Sequence, residues 1–167
     1  MHAEELKGRA VVTLANPNKV GQIDDVLFDA DYRKVLGFRV KRGLVHRAES
    51  LPRAAVHSIG ADAITITDET AVNSEDRYPD LANAVSLKQA NSTKVVTQGG
   101  DLIGTINTIE VDDEVQRAVG YTLSVALLER MLHGAPTIQA EDVLSVGQGG
   151  IMIVQNSVGE QLRGTES

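Results

Sequence analysis

The stretch Val20-Gly21-Gln22-Ile23-Asp24-Asp25-Val26-Leu27-Phe28-Asp29 decides the fold, because it occurs twice. Its second appearance is Ile103-Gly104-Thr105-Ile106-Asn107-Thr108-Ile109-Glu110-Val111-Asp112, and the offset between Gly21 and Gly104 is 83. At that offset Val26 meets Ile109, Phe28 meets Val111 and Asp29 meets Asp112, and further on Gly37, Phe38 and Val40 meet Gly120, Tyr121 and Leu123. Later the offset grows to 87: Leu51 and Val56 meet Ile138 and Val143, and Ser58-Ile59-Gly60 meets Ser145-Val146-Gly147. On the same count Ile64 and Ile66 meet Ile151 and Ile153. A fixed offset that preserves apolar positions and glycines is the mark of an internal duplication.

Each copy reads as β-structure. Val35 to Lys41 alternates, with Phe38 and Val40 to one face and Arg39 and Lys41 to the other, which is the pattern of a half-buried strand. Asn16-Pro17-Asn18 and Asp31-Tyr32-Arg33 read as turns. Between Ile23 and Val26 the apolar phase slips by one residue, and it slips again between Ile106 and Ile109. Period-2 alternation survives an odd step only with an extra residue, so a β-bulge is expected near Asp25 and near Thr108.

The four residues by which the second copy is longer fall between Ser124 and Thr137. Val125, Leu128, Met131 and Leu132 share one helical face there, Gly134 suits the position after a helix end, and Pro136 cannot continue it. The fold class expected is therefore all-β (mainly β), two tandem small barrels with a short helix in the second. The boundaries are residues 5–72 for the first unit, 73–84 for a polar linker, 85–158 for the second unit and 159–167 for a flexible tail. A unit of about 70 residues buries little core, so the copies are expected to pack on each other with near-two-fold symmetry. Uncovered strand edges also leave room for a homodimer.

Composition narrows the function. The chain of 167 residues carries a net charge of −7, two Phe, three Tyr, and no Trp or Cys. Without Cys there is no disulfide, no thiolate nucleophile and no Cys-based zinc site. An acidic chain poor in aromatics is a poor binder of single-stranded nucleic acid, which needs cations and stacking rings. The beginning Met1-His2-Ala3-Glu4-Glu5 is polar and acidic, unlike a signal peptide, and the longest apolar run, Val125 to Leu128, is far too short to span a bilayer. A cytoplasmic location is expected.

Candidate chemistry is thin. His2, His46, His57 and His133 are scattered, and none pairs at ligand spacing. Asp24-Asp25 and Asp112-Asp113-Glu114 lack the alternating donors of a calcium loop and read as turn or strand-end acids. Gly147-Gln148-Gly149-Gly150 opens no helix and reads as a hairpin turn. No catalytic, cofactor or metal residue is assigned, and an enzyme is not expected. One charge feature stands out: between Arg33 and Arg53 lie Arg33, Lys34, Arg39, Lys41, Arg42, Arg47 and Arg53 against a single acid, Glu49. The plainer reading is a solvated strand face. The sharper one makes Arg33, Lys34, Arg39, Lys41, Arg42 and Arg47 a basic docking face.

The order and spacing of these residues resemble the PRC-barrel family. In the first copy the resemblance is carried by Leu6, Gly8, Val11 and Val12, then Gly21, Ile23, Asp25, Val26, Phe28 and Asp29, then Val35, Phe38, Val40, Leu51, Pro52, Val56, Ile59, Gly60, Ile64 and Ile66. The second copy departs from it: Ala90 or Asn91 stands for Gly8, Thr108 for Asp25 and Gln139 for Pro52. The family is similar to the cytoplasmic domain of the photosynthetic reaction-centre H subunit and to the C-terminal domain of a ribosome maturation factor. The resemblance implies a docking or assembly module without catalysis of its own. The leading expectation is a non-enzymatic interaction module docking on a larger assembly, with an acidic protein as partner and no cofactor. RNA or ribosome association is a second expectation, with anionic lipid also open as a target. A small-ligand or metal-dependent enzyme at an inter-barrel cleft is a third.

Overall fold

The computed structural model describes residues 1–43, 45–125 and 134–164, with side chains described outside 44–48 and 163–164 as well. The helix expected within 125–132 falls, apart from Val125, on residues outside that set. The described chain is mainly β, in two sheets.

The first copy supplies β1 (Ala10–Thr13), β2 (Asn18–Phe28), β3 (Val35–Arg42), β4 (Val45–Pro52), β5 (Val56–Ile59) and β6 (Ala63–Ile66). Two-residue strands β7 (Asn73–Ser74) and β8 (Val85–Ser86) follow. The second copy supplies β9 (Lys94–Thr97), β10 (Leu102–Val111), β11 (Ala118–Ser124), β12 (Thr137–Gln139), β13 (Val143–Gly147) and β14 (Ile151–Val154). The first sheet runs β5-β6-β1-β2-β3-β4-β7 and the second β13-β14-β9-β10-β11-β12. Apart from β7 the orders match strand for strand, including one parallel pair in each: β1 with β6, and β9 with β14.

The expected bulges are present. Register shifts between Ile23 and Asp25 on β2, and between Ile106 and Thr108 on β10. The bulge turns Ile23 and Val26 to the same buried side, as it does Ile106 and Ile109, and bends the long strand so that the sheet curls. Gly21 and Gly104 occupy matching places just before each bulge. A Cβ on Gly21 would stand 2.5 Å from the Lys41 carbonyl oxygen, and one on Gly104 2.9 Å from that of Ser124, so the strand crossing excludes a side chain at both.

Two parts of the repeat differ from the expected alignment. The 87 offset holds through β5 and β13, but the next turn is one residue longer in the second copy. Ile59 pairs with Ile64, whereas Val146 pairs with Met152. The counterparts of buried Ile64 and Ile66 are therefore Met152 and Val154, and Ile151 faces solvent. Ser92 rather than Ala90 or Asn91 matches Gly8. The Ile23 amide donates to the Arg9 carbonyl and the Ile106 amide to that of Thr93, which fixes Arg9 against Thr93.

The stretch expected as a linker holds structure. Asn73 and Ser74 pair with Ser50 and Glu49, and α1 (Pro79–Ala82) places Leu81 against Leu27. Where a frayed tail was expected from Gly159, α3 (Asn156–Gly164) runs on. Val158 and Leu162, four residues apart, bring one face of it onto the core, and the Gly99 amide donates to the Asn156 side chain.

The halves interlock. Val85 and Ser86, from the second copy, pair with Phe28 and Leu27 of β2. Reciprocally, His2 bridges Glu110 and the Val111 amide donates to the Met1 carbonyl, so the chain start extends β10. The helices that follow, Ala3–Leu6 and α2 (Leu87–Ala90), each lie against both β2 and β10. Among the described residues, thirty buried ones drawn from both copies form one apolar cluster.

Candidate functional site

The junction between the halves is built from two equivalent hairpins. In the β2–β3 turn Asp29 Oδ1 accepts from the Arg33 and Lys34 amides, at 2.8 and 3.2 Å. In the β10–β11 turn Asp112 Oδ1 accepts from the Gln116 and Arg117 amides, at 2.7 and 3.3 Å. Tyr32 and Val115 hold matching left-handed conformations, with φ of 58° and 53°. The turns meet across a pseudo-two-fold axis: Lys34 bridges its own counterpart Arg117, the Val35 amide donates to the Gln116 carbonyl and the Ala118 amide to that of Arg33. A left-handed, β-branched Val115 is costly in isolation. It persists because the Asp112 turn and the facing hairpin hold it from both sides.

Side chains reinforce this axis. Tyr121 Oη donates to the Tyr32 carbonyl at 2.6 Å, and Tyr32 Oη shares a 2.8 Å hydrogen bond with Thr93 Oγ1. Burial pushes the Tyr121 phenol well above its usual range. A group whose pKa is raised on folding stabilises fully below the unfolded value and loses that contribution as pH rises beyond it. Wild-type stability should therefore fall, through Tyr121, as pH rises above ~10. Tyr121→Phe should be less stable at neutral pH and show a shallower alkaline decline. Urea unfolding at stepped pH measures both.

The six basic candidates do not form one free surface. Arg33 reaches across the junction and donates to the Val143 carbonyl at 3.0 Å, and exposed Lys34 sits on the axis. Arg53 is similarly engaged, donating to the Val115 and Glu114 carbonyls at 3.0 and 2.6 Å. Arg39 pairs with Glu75, and Arg42 with Glu49 at 3.0 Å. The Arg47 side chain lies outside the described set. Lys41 is exposed on the outer face of the first sheet, where Lys19 joins it. Together with Val20, Gly21, Gln22 and Gly43 they line a shallow depression of about 400 Å³ that has no acidic lining residue among the described residues. Lys19 escaped the sequence reading because it follows the Asn16-Pro17-Asn18 turn, 22 positions before Lys41, and only the antiparallel register of β2 and β3 brings the two together.

Among the described residues no group of three or more His, Asp or Glu is placed to hold a metal ion, and no helix is long and apolar enough to cross a membrane.

The fold and its junction define a duplicated, mainly β protein whose halves are exchanged at their edges. The family model described as PRC-barrel domain matches residues 1–72, so the first half of the chain is similar to that domain. A solved structure described as a putative 16S ribosomal RNA processing protein RimM from Pseudomonas aeruginosa is similar over 90% of this chain and 95% of its own, at 14% identity and a TM-score of 0.31. A likeness at that level bears on neither mechanism nor partner. No curated protein matches the chain.

Proposed function

We propose that the protein is a non-enzymatic interaction module that docks an acidic segment of a partner protein on the outer face of its first sheet. The observation that carries this reading is the Lys19–Lys41 depression. The neighbouring cations Arg39 and Arg42 are neutralised by Glu75 and Glu49, while these two lysines stand exposed around a concave floor without an acid. In a chain of net charge −7, a local cationic hollow attracts only ligands whose charge is concentrated where it docks. The second copy has Leu102 and Ser124 at the matching positions, so the feature belongs to one half alone.

The test is fluorescence anisotropy of a labelled Asp/Glu-rich peptide of about ten residues, titrated with the full chain at rising salt. Wild-type protein should bind at low ionic strength and release the peptide as screening shortens the field's reach. Lys19→Glu with Lys41→Glu should weaken binding at least about tenfold, since two attractions become repulsions. Equal binding by the double variant would remove the face from consideration. Preferential binding of an RNA oligonucleotide or of anionic vesicles, abolished by the same changes, would overturn the protein-partner reading in favour of phosphate.

A further inference from the structure

The two sheets expose different outer faces, although their strands correspond one to one. In the second sheet Leu102 pairs with Val96, Val96 with Ile153, and Ile153 with Ser145, so one outward row crosses four strands. The neighbouring row is Thr105, Lys94, Ile151 and Gly147. Leu102 is 64% and Ile151 44% exposed, and Val96 and Ile153 are half-buried beside them. The first sheet has Lys19, Val12, Thr65 and Ser58 in the equivalent row, with Thr65 Oγ1 and Ser58 Oγ hydrogen-bonded at 2.7 Å. One sheet thus carries a polar ladder and the other an aliphatic one.

We infer that the outer face of the second sheet is a docking site for a single amphipathic helix of a partner protein. That helix presents aliphatic side chains to Leu102, Val96, Ile151 and Ile153 and an acidic side chain to Lys94. Size selects this occupant. Four strands about 4.8 Å apart, with rows about 7 Å apart, make a patch of roughly 250 Å². A stable dimer of globular chains buries roughly 800 Å² on each side, so a second copy of this chain is too large an occupant for so small a face. A helix of three to four turns, roughly 20 Å long and 10 Å wide, covers it. Charge narrows the choice further. Lys94 is exposed in the middle of the patch, between Thr105 and Ile151, and favours a carboxylate opposite it. This site is independent of the lysine depression, which lies on the other sheet.

The experiment presents the full chain to a displayed library of random peptides of about 16 residues, with selected sequences measured individually against wild type and a double variant. Leu102→Lys with Ile153→Thr places at both positions the residue that the first sheet already holds there, so the sheet accommodates it. Selected peptides should carry aliphatic residues at i, i+3, i+4 and i+7 with a flanking Asp or Glu. They should bind the double variant at least about tenfold more weakly, and Lys94→Glu should weaken them as well. Equal binding to wild type and variant, a selection without that pattern, or no enrichment would overturn the inference. Sedimentation of the free protein supplies a second reading. A monomer–dimer equilibrium abolished by the double variant would assign the face to a second copy and likewise overturn it.

Discussion

Phe38→Ala is expected to lower the unfolding free energy by about 3–5 kcal/mol. Phe38 is fully buried on the inner face of β3, paired with Val26 across one ladder and Leu51 across the other. The other fully buried rings of the core cluster, Phe28 and Tyr121, already fill places of their own, so a shift of either into the space would open another. The surrounding Val, Ile and Leu side chains are held by strands whose register the bulge fixes, so collapse is partial and the cavity term remains. A denaturant titration would show the midpoint falling while the slope stays constant. A loss under about 1 kcal/mol would mean that the inner face is far less tightly packed than its burial implies.

The second large effect concerns the joint between the copies. Asp25 is buried at the first bulge, and its Oδ1 accepts from the Val26 amide at 2.8 Å and from the Leu87 amide, at the start of α2, at 3.0 Å. One carboxylate therefore ties the bend of the first sheet to the opening helix of the second copy. Asp25→Ala leaves both buried amides without an acceptor and should cost about 2–4 kcal/mol. Asp25→Asn keeps an acceptor oxygen and should cost less. The matching residue in the other sheet, Thr108, is buried, and its Oγ1 has no hydrogen-bond partner among the described residues. Thr108→Val removes an unsatisfied hydroxyl at nearly constant volume and is expected to be neutral or stabilising by about 1 kcal/mol. Thermal or urea unfolding of the three variants tests the asymmetry. Equal losses at Asp25→Ala and Thr108→Val would contradict it.

The duplication and both bulges were legible because each leaves a trace in apolar phase, whereas the order of strands in the sheets leaves none. The slip at Asp25 and at Thr108 is visible in a single line of sequence. The phase of β14 was not legible, since Ile151-Met152-Ile153-Val154 is apolar at every position and alternation has nothing to read. The exchange of edges was hidden for another reason. Met1-His2 and Val85-Ser86 are two residues each, too short to show a period, and their partners lie in the other copy. Of the basic candidates, the sequence shows charge but not pairing. Arg39 and Arg42 meet Glu75 and Glu49 only after folding, and the acid nearest in sequence to either is seven positions away. The aliphatic face of the second sheet did leave a signal, a leucine at 102 where the first copy has Lys19. That mismatch becomes informative once the repeats are read for their differences as well as their likeness.

Native-state hydrogen exchange on wild type and Phe38→Ala asks whether the edge exchange makes one cooperative unit of two sheets. The Ile23 and Ile106 amides, bonded to Arg9 and Thr93, occupy equivalent places in the two copies. If the halves unfold together, a cavity in the first sheet lowers the protection of both amides by the same amount, about 3–5 kcal/mol. Loss of protection at Ile23 with Ile106 unchanged would show two sheets that merely touch.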